Sequence, residues 1–208
     1  KSHRLHVLLA LQERDELPNE GRWAELVEGI PICFDPPDPL HGNVILNVSK
    51  TLADYIQKSK LGYACFDLGL LLARNPDTLR YPAVSYCLQG PRFAESDKVY
   101  TDVIPAFVIE LATSPERRRL MHNREREFLS CGVQLVWTID TESRDVQITS
   151  ADSFEVQRFS GKEPVSGGQL LPGLSVAAES LFAEPRLADG GHALGESRHL
   201  RLEPDPRR

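Results

Sequence analysis

Residues 107–112 read FVIELA, and this run limits the folds open to the chain more than any other feature. It is apolar in both strand parities. Ile104, Ala106 and Val108 lie on the side of Glu110, while Phe107, Ile109 and Leu111 take the other. A strand apolar on both faces must be covered on both, which calls for a sheet sandwiched between other layers. The residues that follow supply one such layer. Thr113 or Ser114 can cap a helix, Pro115 suits its first turn, and Glu116 stands three residues after Thr113 as in a capping box. Cys131-Gly132 ends that helix, and VQLVWTID alternates into another strand. Strand, helix, strand in this order predicts a crossover between parallel neighbours.

The rest of the chain fits around this unit. HRLHVLLALQERDE predicts a short N-terminal helix, and WAELVEGIPICF a helical or extended entry into a strand with Gly29 at a bulge or hairpin turn. Between His41 and Lys60 apolar residues recur at Val44, Ile45, Val48, Leu52, Tyr55 and Ile56, a helical period. GYACFDLGLLLAR and RYPAVSYCL, joined by the turn-forming NPDT, predict an antiparallel hairpin. QGPRFAESDKVYTD is a polar connection. RDVQITS and SFEVQRFS predict a further hairpin, and LLPGLSVAAESLF a closing strand or turn and a short helix. The reading is α/β: one domain over residues 1–182, then a mobile Gly-, Pro- and Arg-rich tail over 183–208.

Composition narrows the function classes. The 208 residues are 41% hydrophobic and 26% charged, with a net charge of −6. A protein that grips nucleic acid through a broadly basic surface carries the opposite sign, so any such contact must be local. One local patch exists, at Arg117, Arg118 and Arg119, with Arg124 and Arg126 beyond it. No apolar run approaches the roughly 20 residues of a membrane helix, and the first residues lack a secretory-signal pattern. Cys33, Cys65, Cys87 and Cys131 form no C-x-x-C pair. Reduced cysteines and a cytoplasmic setting are expected.

Glu110 is the anomaly. An ionised carboxylate buried alone costs several kcal/mol, so it must meet a cation, a metal or a hydrogen-bond donor, or hold a proton. In the next helix Leu120, Arg124 and Phe128 are spaced four apart, flanked by Met121 and Leu129. Arg124 therefore interrupts an apolar stripe and points inward, with Arg117 two turns earlier on the same face. Spacing leaves two readings open, a buried Glu110–Arg124 ion pair and an active site at the end of a central strand.

Taken in order, WAELVEGIP, HGNVILNVSKTLADYI, GYACFDLGLLLARNPDTLRYPAVSY, FVIELATSPERRR, REREFLSCGVQLVWTIDTESRDVQI and LPGLSV resemble the Uma-type restriction endonucleases of the PD-(D/E)XK nuclease superfamily. The likeness runs from about Gly21 to Phe182. It implies a restriction-endonuclease-like core, a mixed central β-sheet flanked by α-helices, with acidic residues holding Mg²⁺ or Mn²⁺ for phosphodiester cleavage. It also implies nucleic acid as partner and a homodimer. By resemblance Glu25 matches the family's early helix glutamate, Glu110 its central-strand glutamate, and Arg124 the helix position that is usually lysine.

Two positions depart from the pattern. RYPAVSY stands where the family reads approximately R-x-P-D-V-x-F, so Ala83 replaces a metal-binding aspartate. Arg124 replaces the lysine, and a planar guanidinium is a poor match for a compact ammonium that positions water. The expectation is a nuclease fold with a degraded cleavage site, weakly active or inactive, that retains Glu25, Glu110 and Arg124. The alternatives are an active enzyme in which Asp67 substitutes as metal ligand, and a non-catalytic binding or scaffold module. His41, which opens the long helix, is a further group able to cap it or contact a phosphate. Trp23 and Trp137 are expected in the core.

Overall fold

The computed structural model describes Leu5, Leu8, Leu9 and residues 23–185 except 92, 96, 97 and 154. Leu5, Leu8 and Leu9 are helical, as expected there; the rest of the predicted first helix and residues 186–208 of the predicted tail lie outside the described residues. The strands are β1 Ala24–Val27, β2 Ile30–Cys33, β3 Tyr63–Phe66, β4 Gly69–Ala73, β5 Thr78–Arg80 and β6 Val84–Cys87. They continue with β7 Tyr100–Thr101, β8 Phe107–Ala112, β9 Leu135–Asp140, β10 Asp145–Ser150, β11 Val156–Ser160, β12 Pro164–Ser166 and β13 Ser175–Ala177. Two helices, α1 Leu40–Ser59 and α2 Pro115–Ser130, and a 3-10 turn Ala178–Phe182 complete the described elements.

The FVIELA run is the centre of a six-stranded sheet ordered β11-β10-β9-β8-β6-β3, and all six of its residues are buried. β8 and β9 are parallel through α2, while β8 and β6 are antiparallel. Both faces are covered, as the double apolar parity requires. On one side Phe107, Ile109 and Leu111 pack with Trp137 and Ile139 against Val44, Val48, Leu52 and Tyr55 of α1. On the other, Val108 and Val136 pack against Phe128 and Leu129 of α2. The Ser114 hydroxyl caps α2 by accepting from the Arg117 amide at 3.2 Å, with Pro115 in the first turn.

A second, five-stranded sheet is ordered β2-β1-β5-β4-β7, and this division into two mixed sheets was not visible in the sequence. The predicted long hairpin is present, but each arm breaks in the middle and changes sheet. β4 and β5 pair in the smaller sheet while β3 and β6 pair in the larger. The breaks fall at Asp67, whose φ is +52°, and at Tyr81-Pro82-Ala83, where Pro82 has no N–H to donate to a ladder. The two sheets splay apart at these breaks.

Short turns fix the smaller sheet. Glu28 and Gly29 have φ of +49° and +76°, so β1 and β2 form a tight two-residue hairpin in which Glu25 stands opposite Ile32. Glu25 therefore sits on a strand, which corrects the expected early helix. Asp77 accepts from the Asn75 amide at 3.2 Å and from the Leu5 amide at 2.9 Å, so it forms the expected turn and also holds Leu5. β7, inside the expected polar connection, and β12 were not anticipated. None of the four cysteines is joined in a disulfide, and no described helix is long and apolar enough to cross a membrane.

The double coverage gives a direct expectation for stability. Phe128→Ala removes a wholly buried ring from beneath β8 and should cost about 3–5 kcal/mol, measured by urea unfolding.

Candidate active site

The splay between the sheets opens a cleft of about 500 Å³, lined by Trp23, Glu25, His41, Asp67, Ala83, Thr113 and Arg117 among others. Behind its floor lies a network of buried charges. Glu110 is wholly buried on β8, and Arg124 of α2 and Glu25 of β1 are each 1% exposed. Arg124 donates to both oxygens of Glu110, from Nη2 to Oε1 at 2.8 Å and from Nε to Oε2 at 3.2 Å. It also donates to both oxygens of Glu25, from Nη2 to Oε1 at 2.9 Å and from Nη1 to Oε2. Five N–H groups in a fixed fork make this double clamp available to arginine and not to lysine.

Arg80, at the end of β5, extends the network. Its Nη1 donates to Glu25 Oε2 at 3.0 Å, and its Nε and Nη2 grip Glu127 of α2 at 2.8 Å each. The Tyr81 amide gives Glu25 Oε1 a further bond at 3.1 Å. The inward pair of Glu110 and Arg124 anticipated from spacing is thus present, with a second carboxylate and a second arginine beside it. Arg80 carried the same signal as Glu110, a charge inside the apolar strand TLRYPAV, and the same question asked of it would have found it. Glu127, on the α2 face one turn from Arg124, gave no such signal, because a glutamate at that position suits a solvated face equally well.

Burial and partners set the protonation of the two glutamates apart. Burial opposes ionisation of Glu25, but the charge and hydrogen bonds of Arg124, helped by Arg117 and Arg80, outweigh it and hold the carboxyl at about 2. At Glu110 burial wins: the carboxyl is pushed above its ordinary range, and Arg124 offsets this only in part while Glu25 adds to it. Glu25 is therefore the firm anion of the site and Glu110 the carboxylate that protonates more easily. The two acids raise Arg124 against the lowering effect of its own burial.

The remaining candidates are distributed around this core. Ala83 lines the same cleft as Glu25 and offers it only a methyl group. Asp67 lines the cleft as an exposed residue. The three arginines at the start of α2 diverge. Arg117 lies in the cleft with its guanidinium 4.5 Å above the Phe34 ring. Arg118 is committed to Asp140 at 2.8 Å and Glu142 at 3.0 Å, and Arg119 is exposed. Trp137 is core, as expected, but Trp23 stands in the cleft wall with its ring edge-on to His41. His41 opens α1 as anticipated, and its Nδ1 is buried without a hydrogen-bond partner.

A divalent cation does not fit this donor set. Mg²⁺ needs oxygen ligands in near-octahedral array. Both oxygens of Glu25 and both of Glu110 already accept from arginine, and Ala83 offers none. Among the described residues, no three His, Cys, Asp or Glu side chains converge as a metal-holding group.

Comparison with known proteins agrees with the fold. The model of the Uma2 family, described as "Putative restriction endonuclease", matches residues 11–179. Among solved structures the chain is similar to one described as "a putative nuclease belonging to DUF820" from Anabaena variabilis ATCC 29413. The two superpose with a TM-score of 0.65 at 20% identity, over 83% of this chain and 96% of that one. At that identity the likeness is one of fold. No curated protein matches the chain.

Two measurements check the network. Arg124→Met leaves Glu25 and Glu110 buried without their main cation and should cost about 3–5 kcal/mol by denaturant unfolding. Acid titration tests the state of Glu25. Its folded value is depressed from an ordinary 4.5 to about 2, so its contribution is present above about 4.5 and lost as pH falls toward 2. That contribution is on the order of 3 kcal/mol. The slope of stability against pH in that window should be shallower in Glu25→Gln.

Proposed function

The chain belongs to the Uma2 family, and from that premise we propose that it is a nuclease-fold protein whose phosphodiester-cleavage centre has been replaced by a buried arginine–glutamate network. It is weakly active or inactive in cleavage and acts by binding. The observation that carries this reading is the double clamp of Arg124 on Glu25 and Glu110, with a methyl group at position 83 in the cleft that Glu25 lines. For either glutamate to ligate Mg²⁺ or Mn²⁺, it would have to release a buried guanidinium. Leaving one buried charge unpaired costs about 3–5 kcal/mol. The metal would recover part of that only with further oxygens, and position 83 supplies none.

Nucleic acid is the partner class that the fold and family favour. Of the arginines at the start of α2, Arg117 supports this reading best, because it lies in the cleft and holds no carboxylate among the described residues. Glu25, Glu110 and Arg124 then serve as the rigid floor of the binding cleft rather than as catalysts. The rival reading assigns Asp67 as a substitute ligand in a working Mg²⁺-dependent enzyme. Asp67 does line the cleft, and the same experiment separates the two.

The test is a plasmid-nicking assay with Mg²⁺ and Mn²⁺ on the natural protein and on the double variant Ala83→Asp, Arg124→Lys. Position 83 faces the cleft and is half-buried, so an aspartate there has room to ligate. The expected result is cleavage by the double variant and at most traces from the natural protein. Cleavage by the natural protein at ordinary nuclease rates, abolished in Asp67→Ala or Glu110→Ala, contradicts the reading.

A further inference from the structure

Among the described residues, the cleft holds one cation that no carboxylate grips directly. Arg80 and Arg124 are gripped by Glu25, Glu110 and Glu127, and Arg117 acts on Glu25 and Glu110 through space without an ion-pair contact. Arg117 makes no ion pair among the described residues and leans on the Phe34 ring, half-buried. No carboxylate oxygen among the described residues holds its N–H groups, so an anion entering the cleft can take them as charge-assisted hydrogen bonds. Asp67 shares the cleft but is exposed, where solvent and salt screen its charge.

A second group waits beside it. The His41 Nδ1 is buried without a partner, and a buried polar atom left unpaired calls for a ligand or an ordered water. Burial, then the Arg117 charge, holds the imidazole below its ordinary range, so at neutral pH it is an uncharged hydrogen-bonding group. The elements carrying the two residues are pinned together: the Asp38 amide, just before α1, donates to the Thr113 carbonyl, just before α2, at 3.2 Å. The Thr141 hydroxyl also donates to the Asp38 carboxylate and binds the Ala112 carbonyl. His41 and Arg117 therefore face the cleft from two braced helix starts. The wall around them is largely apolar, with Trp23, Pro82 and Val99 among its residues.

Size and charge select the ligand. A volume of about 500 Å³ is that of a small-ligand pocket. The net charge of −6 opposes a duplex gripped along its length, whereas one phosphate needs only one local cation. We propose that the cleft is a metal-independent site for a nucleoside phosphate, free or at the end of a single strand. Arg117 and His41 take the phosphate, and the wall formed by Trp23, Pro82 and Val99 meets the base. The assignment rests on the reading above in one respect, that arginine occupies the carboxylates a metal would need.

The test is calorimetry with tryptophan fluorescence in EDTA, titrating the natural protein with 5′-dAMP, deoxyadenosine and a 5′-phosphorylated dT10. The expected result is one saturable site, a fluorescence change that is lost in Trp23→Phe, and little binding of deoxyadenosine. Arg117→Gln should weaken binding about 10- to 100-fold, the scale for losing a charged hydrogen-bond donor. Arg126→Gln, an exposed change on the same helix, should leave it unaltered. Arg117→Gln should keep the circular-dichroism spectrum and cooperative melt of a folded protein, which separates lost binding from lost fold. Binding of 5′-dAMP assigns the free nucleotide, and binding of the phosphorylated strand alone assigns the strand end. Absence of both, equal binding of deoxyadenosine, or binding unchanged in Arg117→Gln overturns the proposal. Plasmid cleavage by the natural protein would overturn the cleavage-centre reading and leave this EDTA-resistant binding to be judged separately.

Discussion

Everything at the centre of this molecule hangs on one guanidinium. Arg124 reaches from α2 to Glu110 on the six-stranded sheet and to Glu25 on the five-stranded sheet, and Arg80 ties Glu25 back to α2 through Glu127. Two sheets that share no ladder are thus joined across their splay by charge. The choice of arginine follows from the task. Two carboxylates in a dry interior repel each other, and a single ammonium cannot present two parallel hydrogen bonds to each. Hydrophobic burial holds α2 against β8 and, through Leu70 of β4, against the smaller sheet, and the charge network adds a directional link between the two sheets.

Much of this was legible in the residues. The double apolar parity of FVIELA located the central strand, and the cap, proline and closing glycine located α2. Glu110 and Arg124 announced each other because each is a charge where the local period demands an apolar side chain. What stayed hidden was long-range. Glu25 gave no sign of sharing Arg124, since nothing in AELVEG states which strand it will face. The two-sheet arrangement hid in a single residue on each arm of the long hairpin, Asp67 with its positive φ and Pro82 without its N–H. Trp23 looked like core because a large indole is highly buried on average, yet it ends in a cleft wall. Helical spacing set Arg117 on the face of Arg124, but that Arg118 is tied to Asp140 at the end of β9 was not legible in the sequence.

On the proposed reading, the arrangement lets a site lose one chemistry without losing its shape. A carboxylate cluster built for a cation is unstable when empty, because like charges are left buried together. An arginine in the same place supplies the positive charge permanently and covalently attached. Once it is there, an aspartate at position 83 would add a further anion to a balanced network, whereas alanine leaves the balance intact. On that reading the cleft, Trp23 in its wall and Arg117 are untouched by the exchange, which leaves binding independent of cleavage.

The central claim is that Arg124 stands where a metal would otherwise be held. Calorimetric titration of the natural protein with Mn²⁺ at neutral pH tests it without reference to any substrate. The account predicts no saturable heat up to millimolar metal, and a new site of one equivalent once Ala83→Asp and Arg124→Lys are introduced together. Stoichiometric, micromolar binding to the natural protein that disappears in Glu110→Gln would contradict it.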